Sequence, residues 1–411
     1  MDRLIFHIDV NSAFLSWEAA RRVALGEADL RLIPSAIGGD RESRRGVILA
    51  KSIPAKRFGV KTGEPIVKAL QKCPALYLAK PNFALYEKNS RAFMDVCRKY
   101  APVVEKYSID ECFLDMSGTS RLYPDPVALA YKIKDEIRDT LGFTVNVGIG
   151  SNKLLAKMAS DFEKPDKVHT LFSEEIPTKL WHLPVGELFS VGRSTAERLE
   201  QASVKTIGDL AKAELSYVQA LVGNKMGLHL HRYANGLDDA PVLDEREEAK
   251  GYSNSTTMPH DVTDREEASR MLMALADSVA SRMRTDQKKA SCIAVTIRTN
   301  DFKDRSHQRK LTVSTDVTTE IFEVSLSLFD ELWDQKTPLR LLGVALTDLS
   351  GEEEAQLSLF DSEDREKARQ LDRIVDSIRS QFGFDTIKRG SACDVDQSVG
   401  RKHKAQMETK D

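Results

Sequence analysis

Two short apolar runs, far apart in the chain, each break off at acidic residues: Asp9 in LIFHIDVNSAF, and the neighbours Asp110 and Glu111 in EKYSIDECFLD. Short apolar runs bounded by turns read as buried strands, and acids at strand ends gather along one edge of a sheet. Three carboxylates at one edge make an oxygen-rich site for hard divalent cations. Two such cations ~3.5–4 Å apart clamp the attacking and leaving oxygens of an in-line phosphoryl displacement. Successive residues of a flat strand point to opposite faces, so Asp110 and Glu111 converge only at a bend. The stretch VVEKYSIDECFLDMS reads as a hairpin with the acidic pair at that bend. Any one of these acids alone is an ordinary solvated strand end; the constellation is what points to chemistry.

The chain has 411 residues, room for about three domains at ~150 residues each. Its 41% hydrophobic content supplies cores, and 30% charged residues suit a soluble protein. The net charge of −3 conceals an uneven distribution: residues 282–310 hold nine basic side chains against three acidic ones, whereas 352–364 (EEEAQLSLFDSED) is acidic. One basic face on a slightly acidic protein is compatible with nucleic-acid binding. The five cysteines are scattered without a CxxC, which argues for a reducing compartment and against structural zinc. No apolar run approaches ~18 residues and no cleavable leader is evident, so a cytoplasmic protein that does not enter a membrane is expected.

Residues 4–10 read as a buried strand. Asn11 or Ser12 caps a helix that runs through AFLSWEAARRVAL and stops at Gly26. Strand VILA, a cap-like segment at Ser52, a helix over 84–101, the acidic hairpin, a helix around KDEIRDTL, strand FTVNVGIG and a helix from SNKLLAKMASDF follow. That order fits a mixed α+β sheet domain ending near Lys167. Residues 173–235 read as a small all-α domain. Its segment LPVGELFSVGRSTAERLEQASVKTIGDLA resembles a helix-hairpin-helix, in which a glycine turn offers backbone N–H groups to DNA phosphates; Ser190 stands where many such motifs carry Gly. The run LDEREEAKGYSNS (243–255) reads as a linker. Strands CIAVTIRT, RKLTVSTDV and LRLLGVALTDL, with helices DREEASRMLMALADSVASRMR and TTEIFEVSLSLFDELW, make a second α+β domain. Beyond 351 the chain turns polar, with one amphipathic helix, EKARQLDRIVDSIRSQF, and a charged tail.

A helix that begins beside Asp9 offers its first amides to a triphosphate. Phe14, on the first turn, is placed to fill the space under a nucleotide sugar and exclude a 2′-hydroxyl; without that context it is an ordinary core phenylalanine. Taken together, HIDVNSAF, PAKRFGVKTGEP, YSIDECFLD and VGIGSNKLLAKMASDFEKP resemble the Y-family translesion DNA polymerases of the bacterial DNA polymerase IV type, in the right order over residues 1–350.

The resemblance implies an α+β multidomain right-hand polymerase: palm in 1–10 and 78–167, fingers in 11–77, and a helical thumb with its helix-hairpin-helix in 168–240. An α+β little finger in 241–350 and a C-terminal tail in 351–411 complete it. It implies a low-fidelity, template-directed enzyme for lesion bypass in DNA repair and damage tolerance. Such an enzyme transfers dNTPs to a primer 3′-hydroxyl with two Mg2+ per active site. Asp9, Asp110 and Glu111 would be the catalytic acids and metal ligands, with the backbone carbonyl of Val10 as a further ligand. Phe14 would be the steric gate, and Lys153, Lys56 and Ala13 would contact the dNTP. Gly192, Arg193, Arg298, Arg305, Arg309 and Lys310 would hold primer-template DNA. One departure stands in the fingers, where Ile53 and Lys56 occupy positions at which many relatives carry Tyr and Arg. Lysine holds phosphate as a point charge where arginine grips it bidentately. The polymerase V catalytic subunit type also lacks that pair, and Lys51 or Arg57 is placed to compensate.

Gln356-Leu357-Ser358-Leu359-Phe360 sets three apolar residues after a glutamine in an acidic segment, a composition that docks into a hydrophobic groove. QLSLF also resembles the bacterial sliding-clamp-binding peptide, so Gln356, Leu357, Leu359 and Phe360 would tether a monomeric enzyme to the clamp. Two other readings compete. A catalytically silent DNA- and clamp-binding accessory accounts for the basic stretch, the helix-hairpin-helix and QLSLF, but leaves three acids and Phe14 in register without a reason. A nucleotidyl cyclase accounts for the acids, but not for the thumb-like domain, the basic stretch or the clamp peptide. No stretch is left over for a proofreading exonuclease.

Overall fold

The computed structural model describes residues 3–39, 46–244, 248–351, 363–383 and 386–390. The described residues up to 244 form one compact unit and those from 248 onward a second. The first unit contains β1 (Ile5–Val10), β2 (Ser35–Gly38), β3 (Ile48–Lys51), β4 (Tyr77–Ala79), β5 (Val103–Lys106), β6 (Glu111–Asp115), β7 (Val145–Gly150) and β8 (Val168–Leu171). Five of them make one sheet in the order β5-β6-β1-β7-β8, antiparallel except for the β7–β8 pair; β3-β2-β4 make a small separate sheet. The larger sheet reaches Leu171, past the expected boundary at 168.

β1 is buried along its whole length because both its faces are covered. Phe6, Ile8 and Val10 join the apolar core shared with helices Phe83–Arg98 and Pro126–Leu141. Strand alternation turns His7 and Asp9 the other way, toward helix Lys153–Asp161, where His7 meets Ser160. That helix crosses β7 at Gly148 and Gly150. A Cβ on Gly148 would lie 2.0 Å from the Ala156 carbonyl oxygen, so only glycine allows the approach. The opposite side of the helix gives Leu154, Leu155 and Met158 to the core of a helical cluster built by residues 173–236.

The exit from β1 is fixed by Asn11. Its amide donates to Asn146 Oδ1 at 3.0 Å, and its own Oδ1 accepts from the Thr144 hydroxyl at 3.0 Å and the Asp166 N–H at 2.9 Å. Ser12 then adopts a left-handed conformation (φ 49°), and helix Ala13–Ala24 starts with no side-chain cap. The cap expected from Asn11 or Ser12 is therefore not made: the Asn11 side chain is spent on β7 and on residue 166.

The second unit is an antiparallel sheet of β9 (Gly251–Val262), β10 (Lys288–Thr299), β11 (Asp304–Thr315) and β12 (Leu339–Gly351), in the order β11-β10-β12-β9. Helices Arg265–Thr285 and Thr318–Leu332 cover one face around a core that includes Leu272, Val279, Val295, Phe329 and Leu342. β9 begins inside the segment read as a linker. Tyr252, Asn254, Thr256 and Met258 alternate inward, but two of the four are polar, which erases the apolar alternation that marks a strand. The sequence after 351 also holds more structure than a tail. Helix Glu363–Phe382 docks by its charged side: Asp372 accepts from the Thr318 N–H at 2.8 Å and pairs with Arg284 at 3.3 Å, and Arg379 pairs with Asp277 at 2.8 Å. Its outward residues include Leu371 and Ile374, each more than half exposed.

Candidate active site

The antiparallel register places Asp9 directly opposite Glu111. One step further, the Val10 N–H donates to the Asp110 carbonyl at 3.0 Å. The hairpin turns tightly there, since the N–H groups of Tyr107 and Ser108 both donate to the Glu111 carbonyl at 3.1 Å. Asp110 lies in that bend and Glu111 opens β6, so the three acids stand at one end of the β1–β6 seam, as the sequence implies. Ser108 steadies the bend: its hydroxyl donates to Asp110 Oδ1 at 2.7 Å and accepts the Asp110 N–H at 3.2 Å.

Each of the two strand acids is held by a lysine. Lys164 pairs with Asp9 and, at 2.8 Å, with Asp161. Lys157 pairs with Glu111 Oε2 at 3.0 Å, and the buried His7 Nε2 lies 3.7 Å from the same oxygen. Burial pushes the Asp9 carboxyl up to about 6 against the pull of Lys164, with Glu111 and Asp110 adding repulsion. Burial alone would raise Glu111 too, but His7 and Lys157 outweigh it and bring that carboxyl down to about 2. Burial at Asp9 thus outweighs its lysine.

As the side chains stand, no group of three or more His, Cys, Asp and Glu among the described residues is drawn close enough to hold a metal ion. The lysines and Ser108 occupy the carboxylates instead. The donor set nevertheless fits hard divalent cations: it is all oxygen, its charge is under-compensated at Asp9, and Glu111 Oε1 accepts no hydrogen bond among the described residues.

Phe14 is the second residue of its helix and lies half-buried on Tyr86, ring centroids 4.7 Å apart, with Phe83 at its edge. Ala13 is buried at the helix start. Lys153 does not come to the acids. Its ammonium is gripped by both Glu105 oxygens at 2.6 and 2.7 Å and lies 4.9 Å over the Phe113 ring. The lysine that reaches Asp9 is Lys164, in the loop after the helix. The motif VGIGSNKLLAKMASDFEKP shows three lysines, and nothing in its spacing says which one returns to the sheet edge. In the small sheet region, Ile53 is exposed and Lys56 lies on the short helix Ile53–Arg57, capped by Ser52, whose hydroxyl accepts the Ala55 N–H at 3.1 Å. Lys51 donates to the Thr62 hydroxyl at 3.2 Å.

The expected DNA contacts divide. Gly192 is the N-cap of helix Arg193–Gln201, and Arg193 is almost fully exposed with Glu197 at 2.7 Å. Ser190 takes φ 76°, the left-handed conformation that explains why glycine is favoured there. In the second unit, Arg298 pairs with Asp304 at 2.6 Å, Arg309 with Glu331, and Lys310 with Asp348 at 3.6 Å; Arg305 makes no ion pair among the described residues. The register pairs Arg305 with Ile297 and Arg309 with Ile293, whose side chains enter the helix-covered core. Arg298 alternates to the opposite face, so the four cations do not share one face. Gln356, Leu357, Leu359 and Phe360 lie outside the described residues.

The Asp9 environment has a consequence for stability. Between pH 4 and pH 6 the folded chain holds a proton on Asp9 that the unfolded chain gives up, so ionising Asp9 above about pH 6 destabilises the metal-free protein. That penalty vanishes as pH falls toward 4. Asp9→Asn is expected to stabilise the metal-free protein by up to about 3 kcal/mol at pH 8 and by next to nothing at pH 4, in denaturant unfolding at the two pH values. An equal effect at both would contradict the burial argument.

Known proteins place the chain in a family. The family model described as impB/mucB/samB matches residues 8–161, its C-terminal-domain counterpart residues 249–359, and a DNA polymerase-iota thumb domain model residues 186–238. The DNA polymerase IV of Clostridium acetobutylicum is 44% identical over 95% of this chain and 98% of its own length. DNA polymerase IV 1 of Bacillus subtilis is 36% identical over 96% and 94%. Among solved structures, a chimera of the Y-family DNA polymerases Dbh and Dpo4 superposes with a TM-score of 0.75 at 24% identity, covering 85% of this chain and 99% of that one. On these matches the chain belongs to the Y-family of translesion DNA polymerases, in the DNA polymerase IV group.

Proposed function

We propose that the chain extends primers by nucleotidyl transfer at Asp9, Asp110 and Glu111, at low fidelity and across damaged template. The pairing of Asp9 with Glu111 across β1–β6, beside an uncapped helix that carries Phe14, is the observation that supports this site. Divalent cations, two Mg2+ in this reading, would stabilise charge on the transferring phosphorus and activate the 3′-hydroxyl when bound by the three acids and the Val10 carbonyl. The amides of Ala13 and Phe14, unclaimed by any side-chain cap, face the triphosphate. Lys153 is the lysine that the resemblance sets on the triphosphate, and Lys164, which already stands at Asp9, shares that role. Lys56 and Lys51 contribute positive charge from the small-sheet side, without the bidentate grip that arginine supplies.

In domain terms, the five-stranded sheet is the palm, the β3-β2-β4 region the fingers, residues 173–236 the thumb, and the second unit the little finger. The enzyme works as a monomer on primer-template DNA with dNTPs, and QLSLF ties it to the sliding clamp.

Primer extension with Mg2+ and all four dNTPs tests the site. Glu111→Ala is expected to lose about a thousandfold in rate, the worth of several kcal/mol of charge stabilisation, and wild type is expected to pass an abasic template position. Phe14→Ala is expected to keep dNTP incorporation and to lose discrimination against ribonucleotides by on the order of a hundredfold. Undiminished extension by Glu111→Ala would remove the assignment.

DNA contact by the second unit is read from salt dependence. Arg305→Ala is expected to lower the slope of log affinity against log salt by about one, equally on unrelated DNA sequences. The already paired Arg298 is expected to matter less. An unchanged slope for Arg305→Ala would exclude it from the phosphate contacts.

Deletion of residues 356–360 is expected to abolish clamp-stimulated synthesis while distributive synthesis continues. Clamp stimulation that survives the deletion would place the clamp contact elsewhere.

A further inference from the structure

Phe302 lies at the tip of the β10–β11 hairpin, in a place that suits phenylalanine badly on two counts. Its φ of 63° is left-handed, a conformation that glycine adopts freely and a bulky side chain only under strain. Its side chain is 64% exposed, so the ring adds little to any core. The tip is nevertheless well tied. The Phe302 N–H donates to the Thr299 carbonyl at 3.0 Å, and the Thr299 N–H to the Lys303 carbonyl at 3.1 Å. The Asn300 N–H crosses to the Pro338 carbonyl at 3.0 Å, which fastens the tip to the entry of β12. The turn therefore holds the ring outward. Strained backbone that its surroundings keep in place points to a use for the side chain it carries.

The neighbouring strand adds a cation. In the register of β12 against β10, Leu341 pairs with Arg298 and Leu339 with Thr299, so Arg340 is an extra residue bulged out of the ladder. A bulge re-aims its side chain. This one lays the Arg340 guanidinium over the Phe302 ring, 4.7 Å from its centroid, within reach of the ring's negative face. The acids of the hairpin tip are already spent: Asp301 pairs with Lys303 at 2.8 Å and Asp304 with Arg298 at 2.6 Å. Arg340 makes no ion pair or hydrogen bond among the described residues, and Arg305, further along β11, makes no ion pair among them.

Phosphate contact alone would ask for the cations and not for the ring. An exposed aromatic face is useful where a base offers its own, and a base does so only outside the duplex. In a primer-template, the unpaired bases belong to the template strand ahead of the primer end. We propose that Phe302 and Arg340 form a stacking platform for one unpaired nucleobase of the template. Arg340 covers one face of the ring and the base lies on the other. Every base has such a face, so the platform is indifferent to sequence. The proposal rests on the reading that the second unit contacts DNA.

The test measures affinity of the full chain by fluorescence anisotropy, on a primer-template with a single-stranded template overhang and on the blunt duplex of the same sequence. An abasic residue is then walked along the overhang. Phe302→Ala is expected to weaken overhang binding by about five- to a hundredfold, the worth of one stacked base, and to leave the blunt duplex unchanged. Phe302→Trp is expected to bind as wild type does. At one overhang position the abasic residue is expected to cost the wild type the same factor and to cost Phe302→Ala nothing more. Phe302→Gly, which suits the left-handed backbone, is expected to resist denaturant no less than wild type and to lose the same coupling, which separates binding from folding. The inference is overturned if no overhang position couples to Phe302, or if Phe302→Ala weakens both DNAs equally. It is overturned too if DNA affinity holds while clamp-stimulated synthesis falls, which makes the tip a protein contact. Should Arg305→Ala lower the salt slope while Phe302→Ala changes nothing, this inference alone falls. Should both variants keep the wild-type affinity and slope, the second unit's contact with DNA falls, and this inference with it.

Discussion

The contact between helix Lys153–Asp161 and strand β7 is the constraint on which the site depends. Two glycines make it possible, and a Cβ on Gly148 would have to occupy the position of the Ala156 carbonyl. Because the helix lies so close, its inward side delivers Lys157 and Ser160 to the far face of β1, and the loop that follows returns Lys164 to Asp9. Its outward side closes the core of the helical cluster. A helix held a few ångströms further out would leave the acids without counter-charge and the helical cluster without a wall. The same element therefore sets the electrostatics of the acids and anchors the part of the chain that carries the helix-hairpin-helix.

Much of this was legible because the signals are local. LIFHIDV reads as a buried strand, the hairpin is bounded by its own turn, and strand alternation demands a bend at Asp110 before it and Glu111 can converge. Which lysine reaches Asp9 was not legible. Lys153 and Lys157 are four apart on one helix and Lys164 follows the helix end, so choosing among them needs the distance from each to a strand that is remote in sequence. Glu105, which captures Lys153, belongs to the neighbouring strand and carries no mark in the sequence of that pairing.

The second unit shows a different limit. A hydrophobic pattern marks a helix face as buried, and the helix Glu363–Phe382 reverses the rule: Asp372 and Arg379 are buried while Leu371 and Ile374 face outward. What docks it is a mesh of ion pairs to Asp277, Arg284 and Asp316, supported by a backbone N–H at Thr318. Buried charges of this kind are tolerated because each is paired and hydrogen-bonded, and only the partner residues, scattered over two other helices and a loop, could have announced it. On the basic residues of the same unit the logic runs in reverse. Residues 282–310 read as one basic face, but pairing within the unit spends most of that charge, and Arg305 is among the few of these cations without an ion pair among the described residues.

The acids themselves explain why lysines surround them. Three carboxylates in a partly buried cleft repel one another and lose hydration, and the chain must fold before any substrate arrives. Lys157 and Lys164 supply the missing positive charge at Glu111 and Asp9, and Ser108 supplies a donor at Asp110. Ammonium groups suit this duty because they are point charges on flexible stems. In the proposed site they would hand a carboxylate over to a divalent cation and turn to the phosphates that come with it. Lys164 is the clearest instance: it is shared between Asp9 and Asp161, so releasing Asp9 does not leave it unpaired. Arginine in the same place would grip its carboxylate bidentately and resist the exchange. A site that must be stable when empty and, as proposed, take up divalent cations is therefore better served by lysines at the acids.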